Sequence, residues 1–149
     1  MPNPTTPMDL TGYLTATGNG SLLTNLPGIV GTVGRFTMIM TTASGSQTVT
    51  GLGFQPSKGM FIAGMNAANN AAVSIGFDDG VNRNAIQNEH NQAANTWDFR
   101  ADVAIDIIPA INARFTVVVA SWTSTGFTMN YSGVNAVTGT LNVGYIVIM

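Results

Sequence analysis

Beyond Val33, apolar and polar residues change places at every second position over most of the chain. Phe36, Met38 and Met40 alternate with Thr37, Ile39 and Thr41, and after turn residues at 42–46 the run Gln47 to Leu52 continues the pattern. A period of two places successive side chains on opposite faces of an extended backbone. Residues 59–65 are apolar at nearly every position, the pattern of a strand buried on both faces. Ala72 to Phe77 reads as another strand. Trp97 to Ile107 alternates most cleanly: Trp97, Phe99, Ala101, Val103, Ile105 and Ile107 share one face, and Asp98, Arg100, Asp102, Ala104 and Asp106 the other, until Pro109. Arg114 to Trp122 is an almost wholly apolar strand. Phe127, Met129 and Tyr131 are expected inward, with Thr128, Asn130 and Ser132 outward, and Leu141 to Met149 forms a last apolar strand. Residues 78–96, rich in Asn and Gln, read as a long irregular loop, with a helical turn or two over 85–94. About eight short strands and no long helix predict an all-β fold: an antiparallel β-sandwich or jelly roll over residues 33–149.

Residues 1–32 have no such period. They hold four of the six prolines, and their apolar residues, Leu10, Tyr13, Leu14, Leu22, Leu23 and Leu26 among them, come in small clusters separated by Thr, Gly and Asn. This reads as an extended N-terminal arm with adhesive points, which are the candidate partner-binding residues. Fully stretched, 32 residues could reach ~100 Å. Three Gly-Phe pairs, Gly53-Phe54, Gly76-Phe77 and Gly126-Phe127, mark joints. Glycine permits a turn or close approach there, and each phenylalanine is expected to drop into the core.

Composition sharpens the picture. Only 8% of the 149 residues are charged, against about 25% in an average soluble domain. Residues 1–77 carry Asp9, Arg35 and Lys58; nine charges fall between Asp78 and Arg114; none follows. A surface so poor in charge is weakly protected against association, and buried interfaces are themselves depleted of charge. The arm and the charge-free strands after Arg114 are therefore expected to make the contacts of an oligomer. A net charge of −2 gives no basic footprint for nucleic acid. No apolar run approaches the ~18 residues that span a bilayer, and the opening residues lack the basic and apolar regions of a signal peptide. The chain has no cysteine, so thiolate metal sites and disulfides are out, in keeping with a reducing compartment.

Candidate chemistry is thin. His90 beside Glu89 has no cysteine or nucleophile-elbow serine to activate. Asp78, Asn82, Asn84 and Glu89 match positions one, five, seven and twelve of a calcium loop, but Gly80 stands at the third position and Arg83 where a glycine is required at the sixth. Asp98, Asp102 and Asp106 form a ladder with Arg100, expected to be solvated or to face another subunit rather than to act as a glycosidase pair. Trp97, Trp122 and Tyr131 are expected in the core. No enzyme activity, cofactor or metal is predicted; Asp78, Asp79, Arg83, Glu89 and His90 are candidate exposed loop contacts.

The stretches Thr48-Val49-Thr50-Gly51-Leu52-Gly53-Phe54-Gln55-Pro56-Ser57-Lys58, Ser74-Ile75-Gly76-Phe77-Asp78-Asp79-Gly80, Gly126-Phe127-Thr128-Met129-Asn130-Tyr131 and Val143-Gly144-Tyr145-Ile146-Val147-Ile148 resemble a family of small structural proteins of tailed bacteriophages, over about residues 45–149. The resemblance implies a β-sandwich displayed on a virion, usually as a trimer. An arm plus a single sandwich, with no shaft or repeat, suits a cement or decoration protein. Such a protein would be made in the host cytoplasm, associate with itself and bind across adjacent major capsid subunits at the capsid surface. A receptor-binding or carbohydrate-binding tip of a tail fibre is the alternative.

Overall fold

The computed structural model describes residues 30–67, 70–91, 94–110, 112–135 and 137–149. The residues of the expected arm before Val30 lie outside these. Ten strands follow one another: β1 (Gly31–Met40), β2 (Gly45–Val49), β3 (Lys58–Ala67), β4 (Asn70–Asp78), β5 (Arg83–Asn91), β6 (Ala94–Arg100), β7 (Ile105–Ala110), β8 (Ala113–Thr123), β9 (Gly126–Val134) and β10 (Gly139–Ile148). They form two antiparallel sheets. The larger has the order β1-β10-β3-β4-β5-β6 and the smaller β2-β9-β8-β7. The chain is an all-β sandwich, with no helix among the described residues.

The core lies between the sheets, and its centre follows the alternation. Met38, Met40, Phe61, Ala63, Leu141, Val143 and Val147 point inward from β1, β3 and β10. They meet Ile105, Ile107, Phe115, Val117, Phe127 and Met129 from β7, β8 and β9. Burying each large apolar side chain contributes ~1.5–3 kcal/mol, so this layer supplies most of the driving force. Phe127 is its hub, with ring centroids 5.3 Å from Tyr145, 5.7 Å from Phe61 and 5.8 Å from Trp122. Edge-to-face contacts of this kind add to the area term.

The joint at 50–57 carries the chain from the smaller sheet into the larger. Gly51 and Gly53 have φ of 85° and 76°, the left-handed region that a side chain resists. Leu52 N donates to Thr125 O at 2.9 Å and Ser57 N to Ile148 O at 2.9 Å, which fixes both ends of the joint. Gly126 serves a different need: a Cβ there would stand 1.9 Å from Val49 O, so only glycine lets β2 approach β9. The neighbouring Phe127 is fully buried as expected, but Phe77 is not; it lies on the outer face of β4 and is 38% exposed.

Several expectations are corrected. The described residues form ten strands where about eight were expected. The described residues of 85–94 form no helical turn: Ala85 to Asn91 belong to β5, paired on one side with β4 and on the other with β6. The expected loop at 78–96 is thus a pair of hairpins. Trp97 to Ile107 is two strands in different sheets. The chain breaks at 101–104 and crosses over, with Ala104 N bonded to Val117 O at 2.8 Å. The break uncouples the faces on its two sides. Before it, Trp97 and Phe99 face outward; after it, Val103, Ile105 and Ile107 are buried.

Candidate interaction surface

In β4, β5 and β6 the usual allocation of residues is reversed. The side facing the smaller sheet is largely polar. Ser74, Asp78, Gln87 and Glu89 are buried there, together with Asp106 from β7. Arg114 of β8 anchors this layer. Its Nε lies 3.0 Å from Asp106 Oδ1, off the hydrogen-bond axis, and its Nη2 pairs with Asp98 of β6. Ser74 Oγ accepts from Asp106 N at 3.1 Å. Burial pushes the Asp106 carboxyl up to about 6; the charge of Arg100 opposes this and that of Asp102 reinforces it. The amide of Gln87 is fully buried with no hydrogen-bond partner among the described residues. Such a layer contributes little net stability, because desolvation offsets pairing.

Two of the residues expected as exposed loop contacts, Asp78 and Glu89, are buried. Asp78 is completely buried; it accepts from Val119 N at 3.1 Å and Gly80 N at 2.8 Å and pairs with Arg83 Nε at 3.2 Å. Asp79 shapes the β4–β5 turn by accepting from Val81 N at 2.9 Å and Asn82 N at 2.5 Å, and these bonds hold its carboxyl below the usual range. Glu89 is buried on β5. His90 lies on β5, but its side chain falls outside the described residues. Leu10, Tyr13, Leu14, Leu22, Leu23 and Leu26 also lie outside them. Asp98, Asp102 and Asp106 do not form a ladder: Asp98 pairs with Arg114, Asp102 is exposed and pairs with Arg100, and Asp106 is buried.

The apolar residues of β4 to β6 are on the outside. Strand register sets them in rows. The central row runs Arg35, Gly144, Ile62, Ile75, Ile86, Phe99 from β1 to β6. One side of it holds Val33, Ile146, Met60 and Phe77; the other ends in Val73, Asn88 and Trp97. Ile75, in the middle, is 52% exposed, Phe99 59% and Trp97 73%. Arg35 is the only charged residue in the three rows, with Lys58 just beyond them at one end. A groove of about 410 Å³ runs between Met60, Phe77, Ile146 and Ile148 near Lys58. A hollow of about 680 Å³ sits at the β1 margin, lined by Arg35, Thr37, Asn142 and Gly144.

Sequence reasoning missed this surface. Alternation in Val73-Ser74-Ile75-Gly76-Phe77-Asp78 and Trp97-Asp98-Phe99-Arg100 is plain, yet it shows only that two faces differ, not which one turns inward. Expectation fixed instead on the charge-free run after Arg114. Of that run, β10 gives Gly144 and Ile146 to these rows, whereas the outer face of the smaller sheet presents Thr116, Thr128, Asn130 and Ser132, with Thr128 Oγ1 3.0 Å from Thr48 Oγ1. Trp122 and Tyr131 pack against the core as expected, whereas Trp97 does not.

No family model, curated protein or solved structure matches this chain.

Proposed function

We propose that the chain is a non-enzymatic structural component of a bacteriophage virion, a cement or decoration protein that associates with itself and binds across adjacent capsid subunits to stabilise the head. The observation that carries this reading is the broad, nearly charge-free apolar outer face of the six-stranded sheet. Soluble monomers seldom expose contiguous apolar patches of more than a few hundred Å², so a face of this kind argues for a life within an assembly. Its rows are built from strand-borne side chains around Ile62, Ile75 and Ile86, a rigid surface suited to packing. The motifs at Gly51–Pro56, Gly76–Asp79 and Gly126–Tyr131 support a virion protein through the resemblance they carry, which also favours three copies. Residues 1–26, with six apolar anchors and Asp9 as the one charge, supply the strap. Several weak attachments per oligomer would combine into strong overall attachment.

The test is to mix the purified chain with heads that lack it and image the particles. Saturable, symmetry-related density on the shell is expected, and a chain lacking residues 1–26 should remain folded but fail to attach. Absence of any density would overturn the head assignment, and full occupancy by the shortened chain would overturn the strap. A tail-fibre tip is the second reading, favoured by the exposed rings of Trp97 and Phe99, which could stack on a sugar. Specific, saturable binding on a glycan array, without attachment to heads, would select it.

A further inference from the structure

We propose that the outer face of the six-stranded sheet is buried against further copies of this same chain, with Trp97 and Phe99 at the β6 margin of one copy entering the hollow beside Arg35 at the β1 margin of the next. The inference rests on the reading of this face as an interface, but not on attachment to a shell.

Three features name the occupant. The first is the reversal in β5 and β6. Gln87, Glu89, Asp98 and Arg100 take the side facing the smaller sheet, and Ile86, Trp97 and Phe99 the outside. Those strands therefore bury their apolar side only when something covers it. A partner met late would leave that side in water from synthesis onward. A second copy is present from the start and in matching amount.

The second is size. Five strand spacings of ~4.8 Å and two row spacings of ~6.7 Å give the three rows a footprint of ~24 by ~13 Å. Side-chain relief and the flanking positions, Ile148 and Lys58 among them, enlarge it toward the ~800 Å² that each partner contributes to a stable interface.

The third is that the two margins complement each other. The β6 margin projects two exposed rings. The β1 margin is recessed, because Gly144 and Asn142 stand beside Arg35 and Thr37 around the hollow. Its one charge, the Arg35 guanidinium, is the group that favours the face of an aromatic ring. Opposite margins of one sheet cannot meet within one copy. They meet between copies, either face to face about a two-fold axis, with each β6 margin over the other's β1 margin, or head to tail in a ring.

The first test is the mass of the full chain in solution by sedimentation. A mass of two or more chains is expected. Trp97→Ala with Phe99→Ala, and separately Ile75→Glu, should lower it to that of a single chain while the far-ultraviolet β signal is kept. These side chains lie outside the core, so their loss should not unfold the sandwich. The second test uses the absence of natural cysteine. Within one copy, positions 35 and 99 stand at opposite edges of the sheet, ~24 Å apart, far beyond disulfide reach. Mild oxidation of Arg35→Cys with Phe99→Cys should therefore yield covalent multimers, while Phe99→Cys alone should not. A wild-type chain that sediments as a monomer would overturn the proposal. So would a multimer whose mass ignores both surface variants and whose double-cysteine form stays unlinked. Loss of head attachment with the multimer intact would instead count against the cement reading alone.

Discussion

Asp106 carries a charge where the fold has least room for one. The carboxyl is fully buried, and its folded-state value of about 6 lies above the ordinary 3.8. The folded chain thus holds that proton more tightly than the unfolded chain does. The resulting advantage to the fold is complete below pH ~4 and disappears as the pH rises to about 6. Asp79 and Asp102 are shifted the other way, by hydrogen bonds to the 81–82 backbone and by Arg100 respectively. Their contributions fade only below pH ~4, and both are exposed enough for solvent to weaken them. Urea titrations between pH 4 and pH 7 should show stability falling with pH over the lower part of that range. Asp106→Asn should flatten the slope; an unchanged slope would place the responsible group elsewhere. Side chains of one type also diverge here. Phe77 and Phe127 both follow glycine, yet one is open to water and the other is the hub of the core. Local sequence permits both outcomes, and the side of the sheet decides.

Among the elements, Gly126 offers the sharpest test. A methyl group there would meet Val49 O at 1.9 Å and Val49 C at 2.9 Å, so β2 would have to separate from β9. Gly126→Ala should cost ~1–3 kcal/mol, the usual penalty for overfilling a packed site, read as a lower midpoint in thermal unfolding followed by circular dichroism. Gly64→Ala, with no neighbouring atom closer than 3.9 Å to its added Cβ, should be mild by comparison. Most strands were legible in the sequence. The period of two placed β1 and β9, apolar runs placed β8 and β10, and the turn residues at 42–46 and 124–126 separated their neighbours. β5 was not legible, because Arg83-Asn84-Ala85-Ile86-Gln87-Asn88-Glu89 has Ile86 as its one β-branched residue and no aromatic residue to mark a strand. It is held by pairing on both sides. The crossing at 101–104 was also hidden: alternation continues through Ala101, Val103 and Ile105 as though the strand were unbroken. Residues 59–65 read as buried on both faces. Structurally, Phe61, Ala63 and Met65 are buried, while Met60 and Ile62 remain half open. The second face is apolar as read, but it stands open to water and is not buried.

For the whole molecule, the sandwich divides into two halves of different character. Around β1, β10 and β3 it has a conventional apolar interior with Phe127 at its centre. Around β4, β5 and β6 the interior is a polar layer of Ser74, Gln87 and Asp106, tied by Arg114 to the part-exposed Asp98 at its margin, and the greasy side is outermost. The first half can form from intrachain contacts alone. The second gains little from them, since a buried ionic layer roughly breaks even.

That reversed half ties folding to abundance. If β5 and β6 gain their main apolar burial from other copies, completing them is a concentration-dependent reaction and not a property of one chain. Mass action then sets the melting temperature, which should climb with each tenfold increase in protein and level off once assembly saturates. A melting curve indifferent to dilution would mean that the polar layer suffices by itself. Dilute chains would spend longer with the hairpin of β5 and β6 unfinished and its outer side wet. Proteolysis should then begin at that hairpin, and fastest in the most dilute samples.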